Sequence, residues 1–131
     1  MRFLGVDFGL KKVGLAMGDD ETKLAVPLEV VPGGDDLVNR LLKISEDDGV
    51  DAFVIGVPMP VGDRAPSKQQ KRTEHFIDTL KKCTEKSVFT VDEQYTSAES
   101  KRIQNDMGSN VEEDALAAML ILQQYFDQMV T

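Results

Sequence analysis

Residues 2–19, RFLGVDFGLKKVGLAMGD, carry the reading on which the rest of the chain depends. The run RFLGVD (2–7) is apolar and closes on an acid, which predicts a strand buried on both faces toward its end. Phe8-Gly9-Leu10 turns the chain, and Val13 to Met17 predicts a second strand. Gly18-Asp19-Asp20 has turn chemistry, and Leu24 to Val31 predicts a third strand interrupted by Pro27. Three short strands joined by tight turns predict an antiparallel meander.

Beyond the meander the periodicity changes. Asp35 or Asp36 can cap a helix running to about Asp48, with Leu37, Val38, Leu41, Leu42 and Ile44 at helical spacing. AFVIGV (52–57) is wholly apolar and ends at Pro58, as a central parallel strand does. Pro66 opens a second helix through Lys82, and Ser87 to Val91 predicts a strand followed at once by Asp92-Glu93. Thr96 with Glu99, and Ser109 with Glu112, form capping boxes for two further helices, the last apolar from Ala115 to Leu122. No internal repeat or linker divides residues 1–131, so one domain is expected. The order is βββ-α-β-α-β-α-α. Right-handed crossovers set the later strands parallel to the first. The expected fold class is α/β: a mixed five-stranded sheet with helices on its faces, the layout of the RNase H-like fold.

Composition narrows the function. The 131 residues are 41% hydrophobic and 29% charged, as in an ordinary soluble domain. Cys83 is the only cysteine, which excludes an intramolecular disulfide and a Cys-cluster zinc site. Asp7 cuts the apolar start before a secretion signal could form. The longest apolar run, Ala115 to Leu122, is eight residues against the roughly 20 that span a bilayer. A cytoplasmic protein with no membrane partner is the expectation. The 15 Lys+Arg stand against 23 Asp+Glu, a net charge of −8, which argues against a surface that attracts nucleic acid everywhere. A local strip remains: between Arg64 and Arg72 lie four basic residues, Arg64, Lys68, Lys71 and Arg72, and no acid.

Ligands of such a sheet collect beyond the carboxyl ends of its parallel strands. Three acids fall there from separate parts of the chain. Asp7 ends the first strand, Glu93 lies just after the last, and Asp114 sits in the first turns of the final helix. Carboxylates that meet without a basic partner suggest a hard cation, Mg²⁺ or Mn²⁺. Neighbouring strand residues point to opposite faces, so Asp92 and Glu93 cannot both face Asp7. Glu93 is the expected ligand and Asp92 a structural hydrogen-bonder. Glu112 and Glu113 read as helix N-terminus charges, whereas Asp114 directly precedes the apolar run and should face inward. Taken singly, Asp7 could pair with Lys11 or Lys12, and Gly9 and Gly14 could serve a phosphate approach or a plain hairpin. His75 and Cys83 receive no role.

GVDFGLKKVGLAMGD (5–19), VIGVP (54–58), VDEQYTSAES (91–100) and EDALAAMLILQQYF (113–126) resemble the YqgF/RuvX family, in family order and across essentially the whole chain. The resemblance implies the RNase H-like fold and a cytoplasmic nuclease, resolving Holliday junctions or maturing the 5′ end of 16S rRNA. It also implies acids at the positions of Asp7, Glu93 and Asp114. Two divalent ions roughly 4 Å apart would clamp the scissile phosphate and activate water, with Asp7 bridging them. Lys11, Lys12, Lys68, Lys71 and Arg72 would touch flanking phosphates, and Thr96 and Ser97 could donate to phosphate at a helix N-terminus. A junction-cutting enzyme would act as a homodimer, an RNA-end processor as a monomer or homodimer.

This chain departs from the family pattern at Gln94, where Arg is usual, and at Lys11-Lys12, where Lys-Arg is common. The loop Met59-Pro60-Val61-Gly62-Asp63 and Val111-Glu112-Glu113 also differ. The acids are kept while phosphate-binding groups are thinned. A non-catalytic module contacting nucleic acid or protein is therefore the competing reading. A phosphotransferase is a third, because Asp7-Phe8-Gly9 with a later glycine also opens sugar-kinase and actin-like folds, but those need two such domains.

Overall fold

The computed structural model describes residues 1–59, 65–93 and 112–129. The meander is β1 (Arg2–Asp7), β2 (Lys12–Asp19) and β3 (Leu24–Pro32). It is followed by α1 (Leu37–Asp47), β4 (Ala52–Pro58), α2 (Lys68–Cys83), β5 (Ser87–Glu93) and a helix, α3, over Glu113–Gln128. The strands form one sheet in the order β3-β2-β1-β4-β5. β1 pairs antiparallel with β2 and parallel with β4, which pairs parallel with β5. The expected mixed five-stranded sheet is the one observed. The helix expected from Thr96 lies outside the described residues.

Two cores hold the layers together. On one face Leu4, Val6, Leu15, Phe53 and Ile55 meet Leu37 and Leu41 of α1 and Phe76 and Leu80 of α2. On the other, Phe3, Ala16, Ala52 and Val54 meet Ala118, Ile121, Leu122 and Phe126 of α3. β1 and β4 are thus buried on both faces, which is why their sequences run apolar without alternation.

The α3 face is built for close approach. A Cβ at Gly5 would stand 2.9 Å from Leu122 Cβ, and one at Gly14 would overlap the Asp114 carbonyl oxygen. α3 therefore rests on strand backbone. At its far end Phe3 packs edge-on to Phe126, ring centroids 5.5 Å apart.

Several boundaries differ from expectation, each for a local reason. β3 is not interrupted at Pro27, because an edge strand has no neighbour on one side to miss the N–H. Its register shifts instead, with Leu15 facing Glu29 and Ala16 facing Pro27. α2 starts at Lys68 rather than Pro66, because Ser67 Oγ accepts the Gln70 N–H at 3.0 Å and sets the cap. β5 stays extended through Glu93, so the acid pair ends the strand instead of following it. Asp36 occupies the cap position of α1 and Glu112 that of α3, and neither makes a side-chain cap bond. The Ser109–Glu112 box is thus not the start of α3: Glu112 stands at the cap and not in the helix's first turn, and Ser109 lies outside the described residues.

Gly14→Ala forces helix and strand backbones apart. It should lower the unfolding free energy by about 1–3 kcal/mol, the usual cost of overpacking a tight contact, as read by urea denaturation.

Candidate active site

β1 ends on Asp7, whose antiparallel partner is Gly14. Directly opposed residues share a face, so the side chain of Asp7 projects beside the gap left at Gly14. The first turn of α3 fills that gap, bringing Asp114 to Asp7 from the far end of the chain. The last residue of β5 completes the group: Glu93 pairs in register with Pro58, and its Cγ would be 3.3 Å from a Cβ placed on Gly56. Gly14 is therefore neither a phosphate approach nor a plain hairpin residue. It is the space that the helix backbone needs.

Asp7 is mostly buried, and burial is the largest influence on its carboxyl. The charges of Glu93 and Asp114, and a hydrogen bond to Glu93 from the protonated form, act in the same direction. Together they push its pKa from 3.8 to about 7. Neither Lys11 nor Lys12 is among the groups acting on it. Among the described residues, no three His, Cys, Asp or Glu side chains enclose a metal-sized space as placed. The cluster is open: Glu93 touches Asp7, and Asp114 acts through its charge. Its chemistry still fits a hard divalent cation. Carboxylates from β1, β5 and α3 come within electrostatic reach of one another, and the central one is held toward neutrality first by burial and then by like charges, which a cation would relieve.

The other sequence candidates divide by face. Asp92 points away from Asp7 and lines a cavity of about 340 Å³ with Gln70, Glu74 and Lys81. The hydrogen bond found at Asp92 is made by its main chain: Gln124 Nε2 of α3 donates to the Asp92 carbonyl at 2.8 Å. Lys11 and Lys12 are exposed where β1 turns into β2, at the carboxylate end of the sheet. Lys68, Lys71 and Arg72 are exposed on the first turns of α2, across the sheet from α3. Gln94, Thr96 and Ser97 lie outside the described residues.

Sequence reasoning missed Gln69, whose Nε2 donates to the Phe8 carbonyl at 3.0 Å, and the stacking of Phe8 on Phe76 with ring centroids 4.7 Å apart. Together they pin the residue after Asp7 to α2. A helix face carrying Gln69, Phe76 and Leu80 is the only sequence signal for them.

The family profile described as "RuvX: Holliday junction resolvase" matches residues 1–128. The chain belongs to the RuvX family. A candidate pre-16S rRNA nuclease of Ruminiclostridium cellulolyticum is 31% identical over 138 residues, covering 98% of this chain and 96% of that one. One from Campylobacter lari is 32% identical over 130 residues, covering 96% and 98%. Among solved structures, Thermus thermophilus RuvC in complex with Holliday junction substrate superposes with a TM-score of 0.61 at 14% identity, covering 96% of this chain and 93% of that one. The Fowlpox virus resolvase with Holliday junction DNA gives 0.62 at 12% identity, covering 100% of both chains. At such identities the likeness establishes the RNase H-like fold.

The raised pKa fixes the sign of a stability effect. Between about pH 4 and 7 the folded, metal-free protein holds a proton on Asp7 that the unfolded chain releases, so stability falls as pH rises through that window. Metal-free Asp7→Asn should be the more stable protein at pH 8, by up to about 4 kcal/mol, and should differ little at pH 4. Urea unfolding at both values reads the difference.

Proposed function

We propose that the protein is a divalent-metal-dependent nuclease that hydrolyses phosphodiester bonds in structured nucleic acid, either at the 5′ end of precursor 16S rRNA or at four-way DNA junctions. The observation that carries this reading is the convergence of Glu93 and Asp114 on the buried carboxyl of Asp7. A carboxyl whose pKa is raised to about 7 by burial and like charges, with no basic partner acting on it, suits chemistry better than structural pairing.

Asp7, Glu93 and Asp114 are the residues that would hold Mg²⁺ or Mn²⁺. When bound, the ions would polarise the scissile phosphate and supply a water acidic enough to attack it. The chain's own part begins with a proton: Asp7 must release one before it can serve as a ligand. Lys11 and Lys12, exposed beside the cluster, meet phosphates flanking the cut. Lys68, Lys71 and Arg72 offer positive charge along the helix on the other side of β1, and we assign Thr96 and Ser97 to the same task. Such contacts position a strand without reading its sequence. The relatives support a precursor rRNA substrate by their names, while the family profile and the two resolvases support a branched DNA. We place the protein in the cytoplasm, acting as a dimer if the substrate is a junction, whose two strands require two centres.

Calorimetric titration with Mn²⁺ tests the site. Because one proton leaves Asp7 on binding, affinity should rise about ten-fold from pH 6 to pH 8 and vanish in Asp7→Asn. Cleavage of a labelled junction or of precursor 16S rRNA should vanish in the same variant, and the substrate that is cut identifies the class. No binding at millimolar Mn²⁺ and no cleavage of either would reduce the protein to a binding module.

A further inference from the structure

The sheet has a second feature at its carboxylate end, on the face away from α3. Strand alternation sends Asp7 to one side and Phe8 to the other. Phe8 there forms part of the wall of a cavity of about 550 Å³, between the first turn of α1 and the middle of α2. Much of its lining is apolar, from Phe8, Phe76, Leu37, Val38 and the exposed Leu10. Lys71 and Arg72 line it too, both exposed, and Asp35 is the one acid among the residues that line it. The cavity is of the size that takes a small molecule or one monomer of a larger one.

We infer that this cavity receives one unpaired nucleotide of the substrate, its base against Phe8 and Leu10 and its phosphate on Lys71 and Arg72. The inference rests on the nuclease reading and deepens it: the preferred substrate carries a single-stranded nucleotide beside the cut.

Three observations carry it. The first is position, since Phe8 directly follows Asp7, so a strand held at the carboxylates needs only to cross the turn at Gly9-Leu10 to reach the cavity. The second is charge complementarity. On a chain of net charge −8, two cations lining the same cavity as a set of apolar side chains suit a ligand that is anionic at one end and flat and apolar at the other. Stacking and phosphate contact together are how proteins hold single strands without reading sequence. The third is rigidity: Phe8 is stacked on Phe76 with an interplanar angle of 14°, and its carbonyl is held by Gln69, so the wall is preformed.

The test measures binding, so that it does not depend on cleavage. Fluorescence anisotropy with EDTA would follow short single-stranded RNA and DNA oligonucleotides carrying one abasic site, moved along the strand position by position. The proteins are the wild type, Val38→Phe, which fills the cavity, and Leu10→Ser, which alters a residue that is 54% exposed and outside both cores. For the wild type, one abasic position should weaken binding about five-fold or more, the contribution of a lost stacked base. Val38→Phe should bind the intact strand about as weakly as the wild type binds that abasic strand, with no further loss when the two are combined. Leu10→Ser should lose part of the same effect. Charge reversal at Lys71 and Arg72 should flatten the logarithmic salt dependence by about 0.7 for each phosphate released.

Equal binding of intact and abasic strands, or equal loss in the wild type and both cavity variants, would overturn the inference. So would tight binding of a fully paired duplex that the variants leave unchanged. These failures are distinct from failure of the nuclease reading, in which Mn²⁺ titration and cleavage are negative whatever the cavity binds.

Discussion

The contact between the first turn of α3 and the bare backbone of β2 is the constraint on which the molecule turns. Gly14 has no side chain, so the Asp114 carbonyl occupies the volume where a Cβ would be. That proximity places Asp114 near Asp7. It also brings Ala118 and Leu122 down onto Gly5 and Ile121 onto Gly56, where an added Cβ would lie 2.5 Å from Ile121 Cδ1. Packing on that face leaves little slack, because interiors are as dense as organic crystals. The helix cannot rise to admit a side chain at one glycine without losing its hold at the others. The same geometry therefore seals the second core and assembles the carboxylates.

A cluster of this kind opposes folding. An acid at the end of a buried strand loses hydration, and two further carboxylates deepen the loss. Fold stability thus comes from elsewhere, chiefly from the apolar face shared by β1, β4, α1 and α2 and from the aromatic group around Phe3. A strong core at one level of the sheet and an unfavourable polar cluster at another is the pattern expected where stability is given up for a site. Residues optimised for stability alone would place an amide or an apolar side chain where Asp7 stands.

Much of the arrangement was legible in the sequence because its signals are local. Apolar runs ending in Asp7 and Pro58 give the two central strands, and the switch from period two to period 3.6 after Pro32 gives the change from meander to βα units. The separation of Asp92 from Glu93 follows from alternation alone, and it can be read because β5 stays extended to its last residue. What stayed hidden depends on partners remote in the chain. Gly14 has adequate local explanations in a hairpin, and nothing nearby says that a helix from the other end will lie on it. The cavity beside Phe8 is likewise assembled from α1, α2 and a turn, and no one of them carries a motif for it. At the start of α2 two valid signals compete: Pro66 favours a first helical position, but the Ser67 hydroxyl, bonded to Gln70, decides.

The order of the elements along the chain gives α3 a further significance. It comes after all five strands, yet covers the strand made first. During synthesis, at some 5–20 residues per second, the sheet can pair and its α1–α2 side can close while the other side still faces water. The nascent protein thus passes through an interval with half a core and no assembled carboxylate cluster. Loss of the last helix to a stalled ribosome or a protease would return it there. Assembly of the cluster thereby waits on the docking of α3, and a copy without it has Asp7 and Glu93 in place but lacks Asp114.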